Sequence, residues 1–134
     1  MSPDDADSRR VLLVGHGRWG RLYADALRDV DALAGIVVAT AESARRLRGP
    51  GRPEVGVDLV EMIARTRPSA LAVLSPSPFH RRHVQTAIEA GLPSMVIRPA
   101  TVRADAARSL AEAARLAGIS VLAGHELAFT QPVP

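Results

Sequence analysis

The sequence predicts a single α/β domain built on a doubly wound parallel sheet. Three observations carry that prediction. Short apolar runs alternate with amphipathic segments along nearly the whole chain, the order that gives a parallel sheet with right-handed crossovers. Each apolar run is continuous rather than alternating, as expected of strands covered on both faces. The first run, Val11–Val14, leads straight into Gly15-His-Gly-Arg-Trp-Gly20 and then into a helical pattern.

The elements follow in order. After the Val11–Val14 strand, a helix is expected over Trp19–Asp29, with Leu22, Ala26 and Leu27 spaced for one face. A second strand, Leu33–Ala39, precedes a short helix, Glu42–Leu47. Gly49-Pro-Gly-Arg-Pro53 is too densely punctuated for either element and is a loop. A short strand near Glu54–Val57 and a helix over Asp58–Arg65 come next. Strand Ala70–Leu74, helix His80–Ala90, strand Ser94–Ile97, helix Ala104–Ala117 and strand Ile119–Ala123 complete the alternation. On the last helix Asp105 suits the positive N-terminal end, and Arg103, Arg108, Glu112 and Arg115 form a solvated face. Residues 1–10 are polar and acid-rich, without the apolar core of a signal peptide, and are expected to be a disordered lead to a domain over 11–134. The expected compartment is therefore the cytoplasm. Thr130–Pro134 has no partner element and reads as a cut edge.

Composition removes several chemistries. The 134 residues include no cysteine, so disulfides, thiolate nucleophiles and cysteine metal sites are out. All 17 basic residues are arginine, which removes Schiff-base chemistry and any lysine general acid. The net charge is only +3, the arginines are mostly scattered, and 3% aromatic content leaves few platforms for stacking bases, so nucleic acid is not an expected partner. No apolar stretch approaches the roughly 18 residues of a membrane span, so no membrane partner is expected either.

The glycine loop carries the clearest chemistry. Gly15 permits a tight turn, Gly17 lets a pyrophosphate approach the backbone, and Gly20 lets the helix pack close to the strand. The helix N-terminus then offers free N–H groups and a positive dipole end to the phosphates. The expected partner is thus a dinucleotide. Arg18 and Trp19 belong to the same loop; Trp19 can lie beside the cofactor or, the plainer reading, pin the first helix to the sheet. His16 is a candidate contact near the pyrophosphate or the nicotinamide ribose, with a solvent-facing loop residue as the plainer alternative.

Four ordered motifs together resemble the N-terminal domain of the glucose–fructose oxidoreductase, inositol dehydrogenase and rhizopine-catabolism family (Gfo/Idh/MocA). Gly15-His-Gly-Arg-Trp-Gly20 is similar to that family's glycine loop. Ser75-Pro-Ser-Pro-Phe-His80 stands where the family has its Thr-Pro-Pro-x-x-His loop, and Ala87-Ile-Glu-Ala-Gly91 looks like its Ala-Leu-Glu-Ala-Gly helix end. Gly124-His125, followed by Phe129, looks like its Gly-His-x-x-x-Phe segment. The resemblance covers essentially all of 11–134 and implies a Rossmann fold, an NAD(P) cofactor and oxidoreductase chemistry. It places Ser75 and Pro76 in the ligand crevice and His80 where a helix start meets the dinucleotide.

The departures are informative. The family's Glu-Lys-Pro motif, with its catalytic lysine, falls on Ile97-Arg98-Pro99. Arg98 keeps the charge but does not readily give up a proton, since a guanidinium pKa exceeds about 12; it remains suited to clamp an anion. An acid about 20 residues past the glycine loop usually holds the ribose hydroxyls. That point here is Thr40, with Arg45 and Arg46 nearby, an arrangement that leans to NADP over NAD. Family members continue into an α/β domain that supplies most of the substrate pocket. The chain stops before it, so it is either a free-standing cofactor domain or a fragment, with Met1 and the polar lead favouring a true N-terminus.

Two histidine groups remain. His80 and His83 stand at i and i+3, a spacing that shares one helix face, but no third metal ligand is evident and no metal is expected. His125 and Glu126 follow the last strand and are a candidate acid–base pair, against a plainer reading as a polar strand exit. The resulting expectation is an NAD(P)-binding oxidoreductase-family protein. Its cofactor residues are Gly15, His16, Gly17, Arg18, Trp19, Gly20, Thr40, Ser75, Pro76 and His80, with Arg98 and His125 as catalytic candidates. Its substrate site is completed by a homo-oligomer or a heteromeric partner. The alternative is a non-catalytic scaffold or binding module, or a non-redox enzyme that reuses the crevice.

Overall fold

The structure is a computed structural model that describes residues 9–124. Its six strands are β1 (Val11–Val14), β2 (Leu33–Val37), β3 (Val55–Gly56), β4 (Ala70–Val73), β5 (Ser94–Ile97) and β6 (Val121–Gly124). Five α-helices intervene: α1 (Arg18–Asp29), α2 (Ala41–Leu47), α3 (Leu59–Thr66), α4 (His80–Glu89) and α5 (Ala104–Ala117). The sheet order is β3-β2-β1-β4-β5-β6, and every pairing is parallel. Strand order therefore reverses between β1 and β4. Loops from these two strands part in opposite directions there, and the gap at their carboxyl ends is where such sheets take ligands.

Two apolar layers sandwich the sheet. On one face, Leu12, Val14, Leu71, Val73 and Val96 pack with Leu59 and Met62 of α3, Val84 and Ile88 of α4, and Leu110 and Ala114 of α5. On the other, Leu13, Ile36, Ala72 and Leu74 pack with Ala24 of α1 and Ala44 of α2. Burial on both faces explains why the strands read as unbroken apolar runs.

Side chains cap two of the helices. The Asp58 carboxylate accepts the Glu61 N–H at 2.8 Å, capping α3, and the Thr40 hydroxyl accepts the Ser43 N–H at 3.1 Å, capping α2. Gly118 (φ +67°) closes α5 in the left-handed conformation.

Several expectations shift. The inward stripe of α1 is Gly20 and Ala24, with Tyr23 and Leu27 half-buried; Leu22 is 56% exposed. At 100° per residue, positions 20, 24 and 27 share a face that position 22 does not. Trp19 is 46% exposed, so it does not pin the helix to the sheet. β2 ends at Val37 rather than Ala39, as the chain turns to cap α2 at Thr40. β6 starts at Val121 rather than Ile119, because Gly118 and Ile119 still bond back to α5.

Candidate functional site

The carboxyl ends of β1, β2 and β4 open into one crevice of about 1330 Å³. Backbone bonds fix its floor: the Gly15 N–H donates to Val37 O at 2.8 Å, and the Leu74 N–H donates to Val14 O at 2.7 Å. Of the residues expected at the site, Gly15, His16, Gly17, Trp19, Ser75, Pro76, His80 and Arg98 line this crevice together. Gly20 sits beneath the loop. Arg18 opens α1 on an exposed face, and neither it nor Thr40 forms part of the lining. His125 and Glu126 lie outside the described residues.

The three glycines are required for different reasons. Gly15 has φ +102°, and a Cβ there would lie 2.7 Å from the Ser75 amide nitrogen. A Cβ on Gly20 would lie 2.4 Å from the Gly15 carbonyl oxygen, so this residue lets α1 press against the loop. Gly17 is the opposite case. A Cβ on it would meet nothing within 4 Å. It is also the N-cap of α1, and no side chain caps that end. The first-turn N–H groups and the positive end of the helix dipole are thus left facing open space, which suits an anionic group. A pyrophosphate fits that cradle.

Across the crevice, two histidines of α4 hold Ser75 from two sides. The ring of His80 is 1% exposed. Its Nε2 meets the Ser75 carbonyl oxygen and its Nδ1 lies 2.6 Å from the Pro99 carbonyl oxygen, so it ties the loop after β4 to the loop after β5. His83, one turn on, places Nδ1 2.8 Å from the Ser75 hydroxyl oxygen. Burial, then the nearby Arg82 charge and the His80 ring, push its pKa down to about 4. His83 is therefore a neutral ring at ordinary pH. The sequence does not reveal the pairing of His83 with Ser75; the i, i+3 spacing signals only that two imidazoles share a face. A short 3-10 turn over Ser77–Phe79 carries the chain from Ser75 into α4, so both rings come back onto it.

The electrostatics favour anions. Among the described residues Arg21, Arg46, Arg82 and Arg98 line the crevice, against the single carboxylate of Asp58, which is engaged as a cap. Partial burial, then Arg21, hold the His16 imidazole below its usual pKa. Arg82 also stacks over the Phe79 ring at 5.5 Å. At the end of β2 the Thr40 hydroxyl is committed to its cap and also donates to the Ser43 hydroxyl at 2.9 Å. Ser43 and Arg46 reach the crevice instead, with Arg46 paired to Glu42. Arg48 donates to the Val55 carbonyl at 2.9 Å and so fixes β3. Among the described residues no group of three or more His, Asp or Glu side chains is placed to hold a metal, and no helix is long and apolar enough to cross a membrane.

The family described as "Oxidoreductase family, NAD-binding Rossmann fold" (Gfo/Idh/MocA) matches residues 9–125. No curated protein matches the chain by sequence. Among solved structures, UDP-N-acetylglucosamine 3-dehydrogenase GnnA from Acidithiobacillus ferrooxidans superposes with a TM-score of 0.77 at 23% identity, over 87% of this chain and 38% of that one. A probable dehydrogenase from Thermotoga maritima gives 0.78 at 21% identity, over 86% and 35%. The WlbA dehydrogenase from Bordetella pertussis, in complex with NADH and UDP-GlcNAcA, gives 0.77 at 22% identity, over 86% and 34%. These likenesses show the fold. The chain spans 34–38% of the length of these three structures.

Proposed function

The chain belongs to the Gfo/Idh/MocA oxidoreductase family, with its NAD-binding Rossmann fold, and on that premise we propose that its crevice binds a nicotinamide dinucleotide for hydride transfer. The observation that carries this reading is Gly17: open space above an uncapped helix start, at the sheet's switch point. The pyrophosphate would rest on the Gly15–Gly20 loop and the first-turn N–H groups of α1. The adenosine half would lie toward β2, near Ser43 and Arg46. The nicotinamide half would lie toward β4 and β5, beside Ser75, Pro76 and His80, where the bound ring supplies a two-electron acceptor or donor.

NADP is the favoured form. No carboxylate reaches the crevice from the end of β2, whereas the Arg46 guanidinium does. A 2′-phosphate would compete with Glu42 for that guanidinium, and a planar fork suits phosphate. Arg98 would clamp an anionic group of the substrate.

The rest of the substrate site is supplied from outside the described residues, by a second copy, a partner or further chain. Support comes from the β5–β6 end of the sheet, where Leu122 is 65% exposed and pairs in register with half-buried Met95. Exposed apolar surface of this kind suits an interface. A cytoplasmic location fits a nicotinamide-dependent protein.

A binding module or a non-redox enzyme is the second reading. Arg98 favours it, because a guanidinium cannot shuttle protons at neutral pH. Titration with NADH and NADPH separates the two. Trp19 is the only tryptophan and lines the crevice, so its fluorescence reports occupancy. Saturable quenching that is lost in Gly17→Val supports the cofactor reading; absence of binding by fluorescence and calorimetry would leave the second.

A further inference from the structure

We propose that Ser75 and His83 form the proton relay of this crevice, Ser75 Oγ exchanging a proton with a bound alcohol or carbonyl and His83 Nδ1 storing it. The proposal rests on the cofactor reading above and adds to it the group that handles the proton.

Among the described residues, the other titratable side chains lining the crevice are unsuited to that task. Arg21, Arg46, Arg82 and Arg98 cannot release a proton near neutral pH. Asp58 is held as the cap of α3. The two ring nitrogens of His80 both face backbone carbonyl oxygens. His16 belongs to the glycine loop, beside the phosphate cradle. His83 alone among these presents a ring nitrogen to a hydroxyl, at 2.8 Å. That hydroxyl stands at the carboxyl end of β4, on the half of the crevice assigned to the reacting ring. His80 fixes the Ser75 carbonyl while His83 meets its hydroxyl, so the relay residue is held by both of its polar groups.

In the direction of alcohol oxidation, the substrate O–H proton passes to Ser75 Oγ as Ser75 passes its own proton to His83 Nδ1. A nicotinamide bound in the crevice would supply the two-electron acceptor for the carbon-bound hydrogen, so that only the hydroxyl proton falls to Ser75 and His83. The imidazolium then returns its proton to solvent or, in the reverse direction, to the nascent alkoxide. Burial, then Arg82 and the His80 ring, oppose protonation of His83, so the ring rests neutral and can offer a lone pair to the Ser75 hydroxyl. Arg98 lines the same crevice. His83 acts through Ser75 and is a positioning, proton-holding residue rather than one that touches substrate.

The test uses the full chain with 15N-labelled histidine. At neutral pH the His83 resonances should report a neutral ring protonated at Nε2, with Nδ1 shifted by an accepted hydrogen bond. Ser75→Ala should abolish that shift and Ser75→Thr should keep it. A His83 ring carrying its proton on Nδ1 would overturn the proposal, because the serine could then only accept. An Nδ1 resonance unmoved by Ser75→Ala would overturn it equally. Neither readout needs a ligand. Titrating the same samples with NADH tests the underlying reading separately: no binding with the expected tautomer would sink the cofactor assignment, and with it the redox use of the relay, while the proton-accepting geometry stood.

Discussion

The backbone of Ser75 fills the space a methyl group on Gly15 would need: the two would lie 2.7 Å apart. This contact closes the floor of the crevice, and Gly15 also sits at φ +102°. Gly15→Ala combines backbone strain with a clash against backbone, and we expect a loss of about 3–5 kcal/mol. Gly17→Ala faces open space at an N-cap, and we expect it to cost under about 1 kcal/mol. Thermal melts of the two variants check the contrast. A Gly17 variant that folds normally yet binds NADH at least tenfold more weakly is the expected companion result.

His83 gives stability an acid limb. Its folded pKa, about 4, lies below the unfolded value of 6.5. The unfolded chain therefore takes up the proton first, and stability contributed by the neutral ring is complete above the unfolded pKa. It falls as pH drops from 6.5 toward 4. The ring is only half-buried, so solvent screening reduces the effect to about 1–2 kcal/mol. Urea melts across this range should show the decline, and His83→Phe should flatten it. A wild-type profile with no slope there would contradict the assignment.

Arg67 occupies the left-handed region at φ +46°, where α3 ends. Its backbone N–H still bonds to Ile63 O at 3.0 Å, which any residue can supply. Arg67→Gly relieves the Cβ penalty, and we expect a gain of about 0.5–1 kcal/mol. An unchanged or lower melting temperature would show that the arginine side chain contributes more than its backbone costs.

Arg46 is the residue on which the cofactor preference turns. Arg46→Ala should weaken NADPH binding by about tenfold or more, the range of one lost charge-assisted hydrogen bond, and leave NADH nearly unchanged. Glu42→Gln removes the competing carboxylate and should tighten NADPH. Equal losses for both cofactors would place Arg46 away from the 2′-phosphate.

The alternation of elements is legible because the central strands are buried on both faces and announce themselves as apolar runs. Less legible were features that depend on which neighbour a residue meets. The stripe on α1 escapes the sequence because Leu22 is apolar yet exposed, while the buried position is a glycine. Nothing local signals that Gly35 and Gly56 are small to admit Met62, whose side chain lies 3.0 and 2.6 Å from where their Cβ atoms would be. Thr40 was expected near the ribose, but a threonine before a helix also caps it, and here the cap engages the hydroxyl. The Ser75–His83 pair spans eight residues and a 3-10 turn, so periodicity alone could not find it.

His80 bridges carbonyls of two loops that leave neighbouring strands. The consequence is cooperative opening. Lifting the loop after β5 removes one of the two partners that seat this ring and so loosens its hold on the Ser75 carbonyl, and that side of the crevice should breathe as one unit. The amides around Ser75 and Ala100 should then exchange hydrogen at matching rates, whereas the loop carrying Gly17 and Trp19, with no such strut, should exchange on its own schedule.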